Sequence, residues 1–201
     1  GKLQVYIQKI RSNPYANAWS LPGKLILPEE GLIEASEGIV MDVIGNKDIY
    51  LEQLNAFGKI YRHPLGRVID VAFYGLINME EDIKALRTDK ENTWVPIKDV
   101  PHLAYDHNDV LLLASQRLKR RLVNRPIGFK LLPQEFTLTE LQQLYEEILN
   151  RPLDKRNFRK KLTKLGILTA EGHEDTTSPG RKPRLFKFDE KKYEEYMEQG
   201  F

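Results

Sequence analysis

The chain has 201 residues, 41% of them hydrophobic, and its 31 basic side chains are nearly balanced by 29 acidic ones. That length and apolar content suit one large or two modest domains with proper cores, while a net charge of +2 excludes a uniformly basic protein, so any nucleic-acid partner has to be met by a local cluster. There is no cysteine, which excludes disulfides, zinc-thiolate centres and thiol catalysis; without a membrane-length apolar run or a signal-peptide pattern at the start, a cytoplasmic protein is expected.

Residues Leu3 to Ile10 alternate partly between apolar and polar, as a strand does, and Ser12-Asn13-Pro14 marks a loop before a second strand at Trp19-Ser20-Leu21. Leu32, Ala35, Ser36, Ile39, Val40 and Val43 recur at helical spacing and Gly45 is placed as a C-cap, although Gly38 and the β-branched residues lower the helix propensity. Tyr50 to Ile60 and Val68 to Ile77 read as strands separated by a turn at His63-Pro64-Leu65-Gly66, and a short strand begins at Trp94-Val95-Pro96. Asp109 to Val123 is a strong helix. Leu111, Leu112, Leu118 and Leu122 share one side, and Arg117, Lys119, Arg120 and Arg121 crowd the rest, a pattern read as a solvated basic face in preference to a DNA contact.

At Asn124-Arg125-Pro126-Ile127-Gly128 the pattern changes to a pair of short helices, which places a boundary between residues 1–127 and 128–201. Thr137-Leu138-Thr139-Glu140 has capping-box spacing, and Leu138, Leu141, Leu144, Tyr145, Ile148 and Leu149 keep helical periodicity to Asn150. After a turn at Arg151-Pro152-Leu153, Asp154 caps a second helix with an apolar stripe of Phe158, Leu162 and Leu165, ended by Gly166. Lys155, Arg156, Asn157, Arg159, Lys160, Lys161 and Lys164 fill most of its other positions, with no acid after the cap. Ammonium and guanidinium groups neutralise phosphates, while Arg156 and Asn157, near the N-terminal end, suit base edges in a major groove. Ile167-Leu168-Thr169, a polar loop from Glu171 to Gly180, and Arg184-Leu185-Phe186-Lys187-Phe188 then form a hairpin, that is, a wing, with Arg181, Lys182 and Arg184 at its tip for DNA backbone or minor groove.

With these features in place, the chain resembles the Nudix-related transcriptional regulators, the group of NrtR-type repressors of NAD metabolism and arabinose-responsive regulators. The residues that carry the resemblance are Asn13-Pro14-Tyr15, Trp19-Ser20-Leu21-Pro22-Gly23, Tyr50-Leu51-Glu52-Gln53, Gly66-Arg67-Val68-Ile69, Ala72-Phe73-Tyr74, Trp94-Val95-Pro96, Tyr105-Asp106-His107, and above all Asp154 through Lys161. The resemblance implies an α+β protein: a Nudix-fold α/β/α sandwich with a mixed sheet, its box helix at Leu32 to Val43, followed by a C-terminal winged helix-turn-helix domain. It also implies a homodimer on a palindromic double-stranded DNA operator, a small-molecule effector, and a strand ahead of the segment that opens here.

A catalytic Nudix box holds divalent cations on glutamates. Aligned on Gly45, its glycine falls at Lys24, its first glutamate at Glu30, its arginine at Gly38, and its three ligand positions at Ile39, Asp42 and Val43. One carboxylate of three remains, so the fold is expected to bind a ligand without cleaving it and to need no cofactor. The leading expectation is a regulator whose degraded Nudix domain senses ADP-ribose or a pentose-type sugar, with Lys24, Arg62 and Arg67 as cations facing the ligand. The alternative is a MutT-like hydrolase of a nucleoside diphosphate derivative, using magnesium on Glu29, Glu30, Glu34, Glu37 or Asp42. A third reading, a winged helix used only for protein contacts, makes the basic cluster incidental.

Overall fold

The computed structural model describes residues 3–83, 89–124, 127–171 and 184–198, and the chain divides into two compact units, Gly1–Asn124 and Arg125–Phe201. In the first unit β1 (Gln4–Lys9) is flanked by antiparallel neighbours, β2 (Trp19–Ser20) on one edge and β5 (Asn92–Pro96) on the other. Tyr6 and Ile7 are consecutive yet both buried, so β1 is covered on both faces, and Tyr6 pairs across the ladder with Trp94, ring edge to ring face at 5.5 Å. The strand at Trp94 therefore starts earlier than its apolar residues suggest and ends at Pro96, which cannot donate to a ladder. The sole parallel pairing among the described residues is a single bridge between Trp19 and Leu103.

The helix α1 (Leu32–Ile44) ends on Gly45, whose φ of 68° is left-handed and whose amide donates to the Met41 carbonyl at 2.9 Å. It leads into an antiparallel ribbon, β3 (Tyr50–Phe57) and β4 (Asp70–Leu76), with a register shift between Gln53 and Asn55. The ribbon contacts α1 through β4 and, through β3, the helix α2 (His107–Asn124). Leu54, Ala72 and Val110 form the buried centre of the second contact, with Leu113 and Ala114 of α2 packed around it. A strand ribbon between two helices is the α/β/α layering that the resemblance implies.

In the second unit, β6 (Phe136–Thr137) runs directly into α3 (Leu138–Leu149), where Thr137 and Glu140 close the capping box seen in the sequence. The turn to α4 (Lys155–Leu165) is stapled by Glu146, whose carboxylate accepts from the Leu153 amide at 2.8 Å and from Gln142 Nε2 at 3.0 Å. The wing strands β7 (Leu168–Glu171) and β8 (Leu185–Phe188) pair antiparallel, and β8 also pairs with β6, giving the order β6-β8-β7. Phe136, Leu141 and Ile167 are almost wholly enclosed, and Phe129 stacks on Phe188 at 4.2 Å. A last helix, α5 (Glu190–Glu198), follows, with Asp189 accepting from the Lys192 amide. No helix among the described residues is long and apolar enough to cross a membrane.

Candidate functional site

Two features of the fold gather chemistry, one in each unit. The first is α4. Asp154 caps it by accepting the Asn157 amide at 2.8 Å, and Phe158 packs edge-on against Tyr145 of α3 at 5.2 Å. With Phe158 and Leu162 turned inward, Lys155, Arg156, Asn157, Lys160, Lys161 and Lys164 are left exposed, a contiguous cationic and amide-bearing face. Arg159 differs. It flanks the buried stripe, half-buried, with its Nε shielded from solvent and without a hydrogen-bond partner among the described residues. Leu165, expected in the stripe, is only half-buried, and the wholly enclosed Ile167 completes that side of the core. At the base of the wing Arg184 is exposed and lies over the Phe186 ring at 5.7 Å. Arg181 and Lys182 lie outside the described residues.

The second feature is an open groove of ≈ 570 Å³ between the start of α1 and the ribbon, lined by Gly31, Leu32, Ile33, Glu34, Glu37, Gln53 and Phe73. Gly31, the N-cap, has no side chain to bond the first-turn amides, so the positive end of the helix dipole opens without a side-chain cap. Leu32 and Ile33 are exposed apolar residues, and Glu34 and Glu37 add two carboxylates.

None of the three cations expected to face a ligand lines this groove. Lys24 binds Glu30 at 2.5 Å, which holds that carboxyl below its usual range; Glu30 also accepts the Leu27 amide and so shapes the loop leading to α1. Arg67 is exposed and donates to the Gly58 carbonyl at 2.7 Å. Arg62 is buried, with two bonds to Asp106 at 2.7 and 3.1 Å and one to Asp70 at 3.2 Å. Its guanidinium is already satisfied by protein carboxylates, which is why it is neither an exposed loop charge nor a free ligand cation.

Comparison with known proteins agrees with the two-part geometry. Residues 128–188 match the family described as the NrtR DNA-binding winged helix domain. Across nearly the whole chain the similarity is to the ADPR responsive transcriptional repressor NtrR of Acinetobacter baylyi, 30% identical over 193 residues, 94% of this chain and 76% of that protein. The chain belongs to the NrtR-type, Nudix-related transcriptional regulators. Its fold is also similar to Shewanella oneidensis NrtR complexed with a 27mer DNA, with a TM-score of 0.81 and 25% identity over 96% of this chain and 90% of that one. The NUDIX domain of the same Shewanella protein, complexed with ADP ribose, matches with a TM-score of 0.50 and 25% identity over 58% of this chain and 79% of that domain.

Within this NrtR-type fold Ile39, Asp42 and Val43, the residues that the alignment on Gly45 sets at the box's ligand positions, lie on α1. Ile39 and Val43 are half-buried hydrocarbon and Asp42 is exposed, and among the described residues no group of three or more carboxylates and imidazoles is placed to hold a metal ion. A side chain added at Gly38 would meet nothing within 4 Å, so packing makes no demand for glycine at that position.

The reading of the sequence missed Gln53 and Phe73 as groove residues, because a strand pair lines a cleft only once the opposing helix is in place. It also read Arg117 and Arg121 as solvated, whereas both donate to Glu52, at 3.4 and 2.6 Å. The signal for that was available only as a lone glutamate in an otherwise uncharged strand.

Proposed function

We propose that this chain is an ADP-ribose-responsive repressor that binds a two-half-site DNA operator as a homodimer. The observation that carries the reading is α4, a capped helix with its apolar stripe buried and six cationic or amide side chains exposed, in a segment matching the NrtR winged helix. Arg156 and Asn157 read base edges; Lys155, Lys160, Lys164, Arg159 and the wing residues Arg181, Lys182 and Arg184 hold phosphates. Of the two effector classes expected, ADP-ribose is supported by the full-length relative and by the ligand-bound Nudix domain. The groove on α1 receives it: Leu32, Ile33 and Phe73 supply apolar walls, and Glu34, Glu37 and Gln53 hydrogen-bond ribose hydroxyls. Phosphate oxygens sit at the uncapped start of α1, where Lys24 exchanges Glu30 for the ligand. Arg62 serves the fold, and ADP-ribose is bound without being cleaved.

The test begins with duplexes selected by the protein from a random pool, titrated by fluorescence anisotropy with and without ADP-ribose, with a chelator present to prevent any metal-dependent turnover. The expected result is a selected palindrome whose affinity ADP-ribose weakens by about 5–150-fold. A protein that selects no sequence, or whose chosen duplex is indifferent to ADP-ribose, contradicts the reading.

A further inference from the structure

Consecutive residues of a strand face opposite sides, so one ribbon presents two different surfaces one residue apart. Gln53 and Phe73 are direct cross-strand partners and both line the groove. The adjoining pair, Glu52 and Tyr74, faces α2. There the Glu52 carboxylate accepts from the Tyr50 and Tyr74 hydroxyls, the latter at 2.9 Å, and from Arg121 and Arg117 of α2. Arg117 uses its other nitrogen on the Leu54 carbonyl at 3.2 Å. Glu52, Arg117 and Arg121 are all largely shielded, with side chains 19%, 31% and 27% exposed, so their attraction is screened less than that of a surface pair. Burial by itself raises the Glu52 carboxyl, but the bonds from Tyr50, Arg121 and Tyr74 outweigh it and hold the group charged below its usual range.

Two further facts give this cluster a direction. The ladder changes register between Gln53 and Asn55, immediately beside both pairs, and such an irregularity interrupts the ladder locally and bends the strand that carries it. The helix that the cluster holds is also the last element of the first unit, ending at Asn124 where the second unit begins at Arg125.

We infer that the Glu52–Tyr74–Arg117–Arg121 cluster is the relay by which occupancy of the groove is transmitted to α2. A ligand pressing on Gln53 and Phe73 shifts the ribbon at its irregular point, and the same displacement moves Glu52 against the two arginines, so α2 changes position with the ribbon. This rests on the groove being the effector site, as proposed above. Glu52 acts as a positioning residue and does not touch the ligand.

The experiment uses the full chain and measures three quantities for each variant: ADP-ribose affinity by calorimetry, affinity for the selected duplex, and duplex affinity with ADP-ribose saturating. Glu52→Gln keeps the shape and removes the charge; Tyr74→Phe removes only a hydroxyl; Lys119→Gln, on the exposed side of α2, is the control. The expected outcome is that both cluster variants bind each ligand separately as the wild type does, while the factor by which ADP-ribose weakens duplex binding falls towards one. Lys119→Gln keeps the full factor. A stable Glu52→Gln or Tyr74→Phe with the wild-type factor overturns the relay and leaves the effector reading standing. If Glu52→Gln fails to fold, Tyr74→Phe and Arg121→Lys decide the matter by the same measure. A wild type with no linkage at all overturns the effector reading and the relay together.

Discussion

Arg62 and Asp106 face each other through two parallel bonds, with only 5% and 9% of their side chains exposed. Removing one partner of a buried pair strands the other charge, so Arg62→Met is expected to lower stability by about 3–5 kcal/mol in urea unfolding at neutral pH. Replacing Asp106 by Leu in the same protein should restore part of it. Burial raises the Asp106 carboxyl, but Arg62 outweighs that and the folded value lies below the unfolded one. A depressed carboxyl contributes stability above its unfolded pKa and loses it as pH falls through the folded value. The gap between wild type and Arg62→Met should therefore be widest at neutral pH, where Asp106 is charged in both proteins or costly to charge in the variant, and shrink as the solution is made acid.

His107 has the opposite pH dependence to an ordinary stabilising histidine. Its Nδ1 accepts the Leu21 amide at 3.0 Å, which requires that nitrogen to be unprotonated, and burial lowers its pKa. The unfolded chain then binds the proton more tightly than the folded one, so stability should decline as pH falls below about 6.5 and level off once the folded value is passed. Unfolding at pH 7.5 and 5.5 checks this. His107→Gln, with a carbonyl to accept the same amide and no proton to gain, should show a shallower decline.

At the scale of elements, α4 separates stability from recognition. Asp154→Ala removes the side-chain acceptor for the Asn157 amide and is expected to cost about 0.5–2 kcal/mol of stability. Asn157→Ala leaves that cap intact and should relax preference at one half-site position by about 1–3 kcal/mol, while Lys160→Ala should weaken all duplexes alike and reduce the salt slope by about one. Titrations of selected and scrambled duplex at several salt concentrations distinguish the two. The helices α3 and α4 were legible because caps and periodicity agree over ten or more residues. The strand Phe136–Thr137 was not, since two residues have no period, and α5 was passed over although Asp189 stands as its cap.

For the whole molecule, effector and operator linkage has to be reciprocal: bound duplex should weaken ADP-ribose affinity by the same factor that ADP-ribose weakens duplex affinity. Calorimetry with and without saturating duplex measures it, and an ADP-ribose affinity that bound duplex leaves unchanged would contradict the linkage. ADP-ribose should also survive prolonged incubation with protein and magnesium. Turnover that requires magnesium and disappears in Asp42→Ala would instead favour hydrolysis.

The helices α1 to α4, the caps at Gly45, Thr137, Asp154 and Gly166, and the basic run on α4 were all set out by the amino-acid sequence. Each is a local property of spacing or of residue chemistry. Tertiary structure decided which charges remain available. Arg62, Arg117 and Arg121 carry the same formal charge as Lys160, yet each meets a carboxylate brought from elsewhere in the chain, 44 residues away for Arg62 and 69 for Arg121. Partners at such separations follow from packing of sheet against helix, and no local pattern encodes them. The groove arises the same way, from one face of a ribbon and the first turns of a helix, neither of which is a cleft until the other is laid against it.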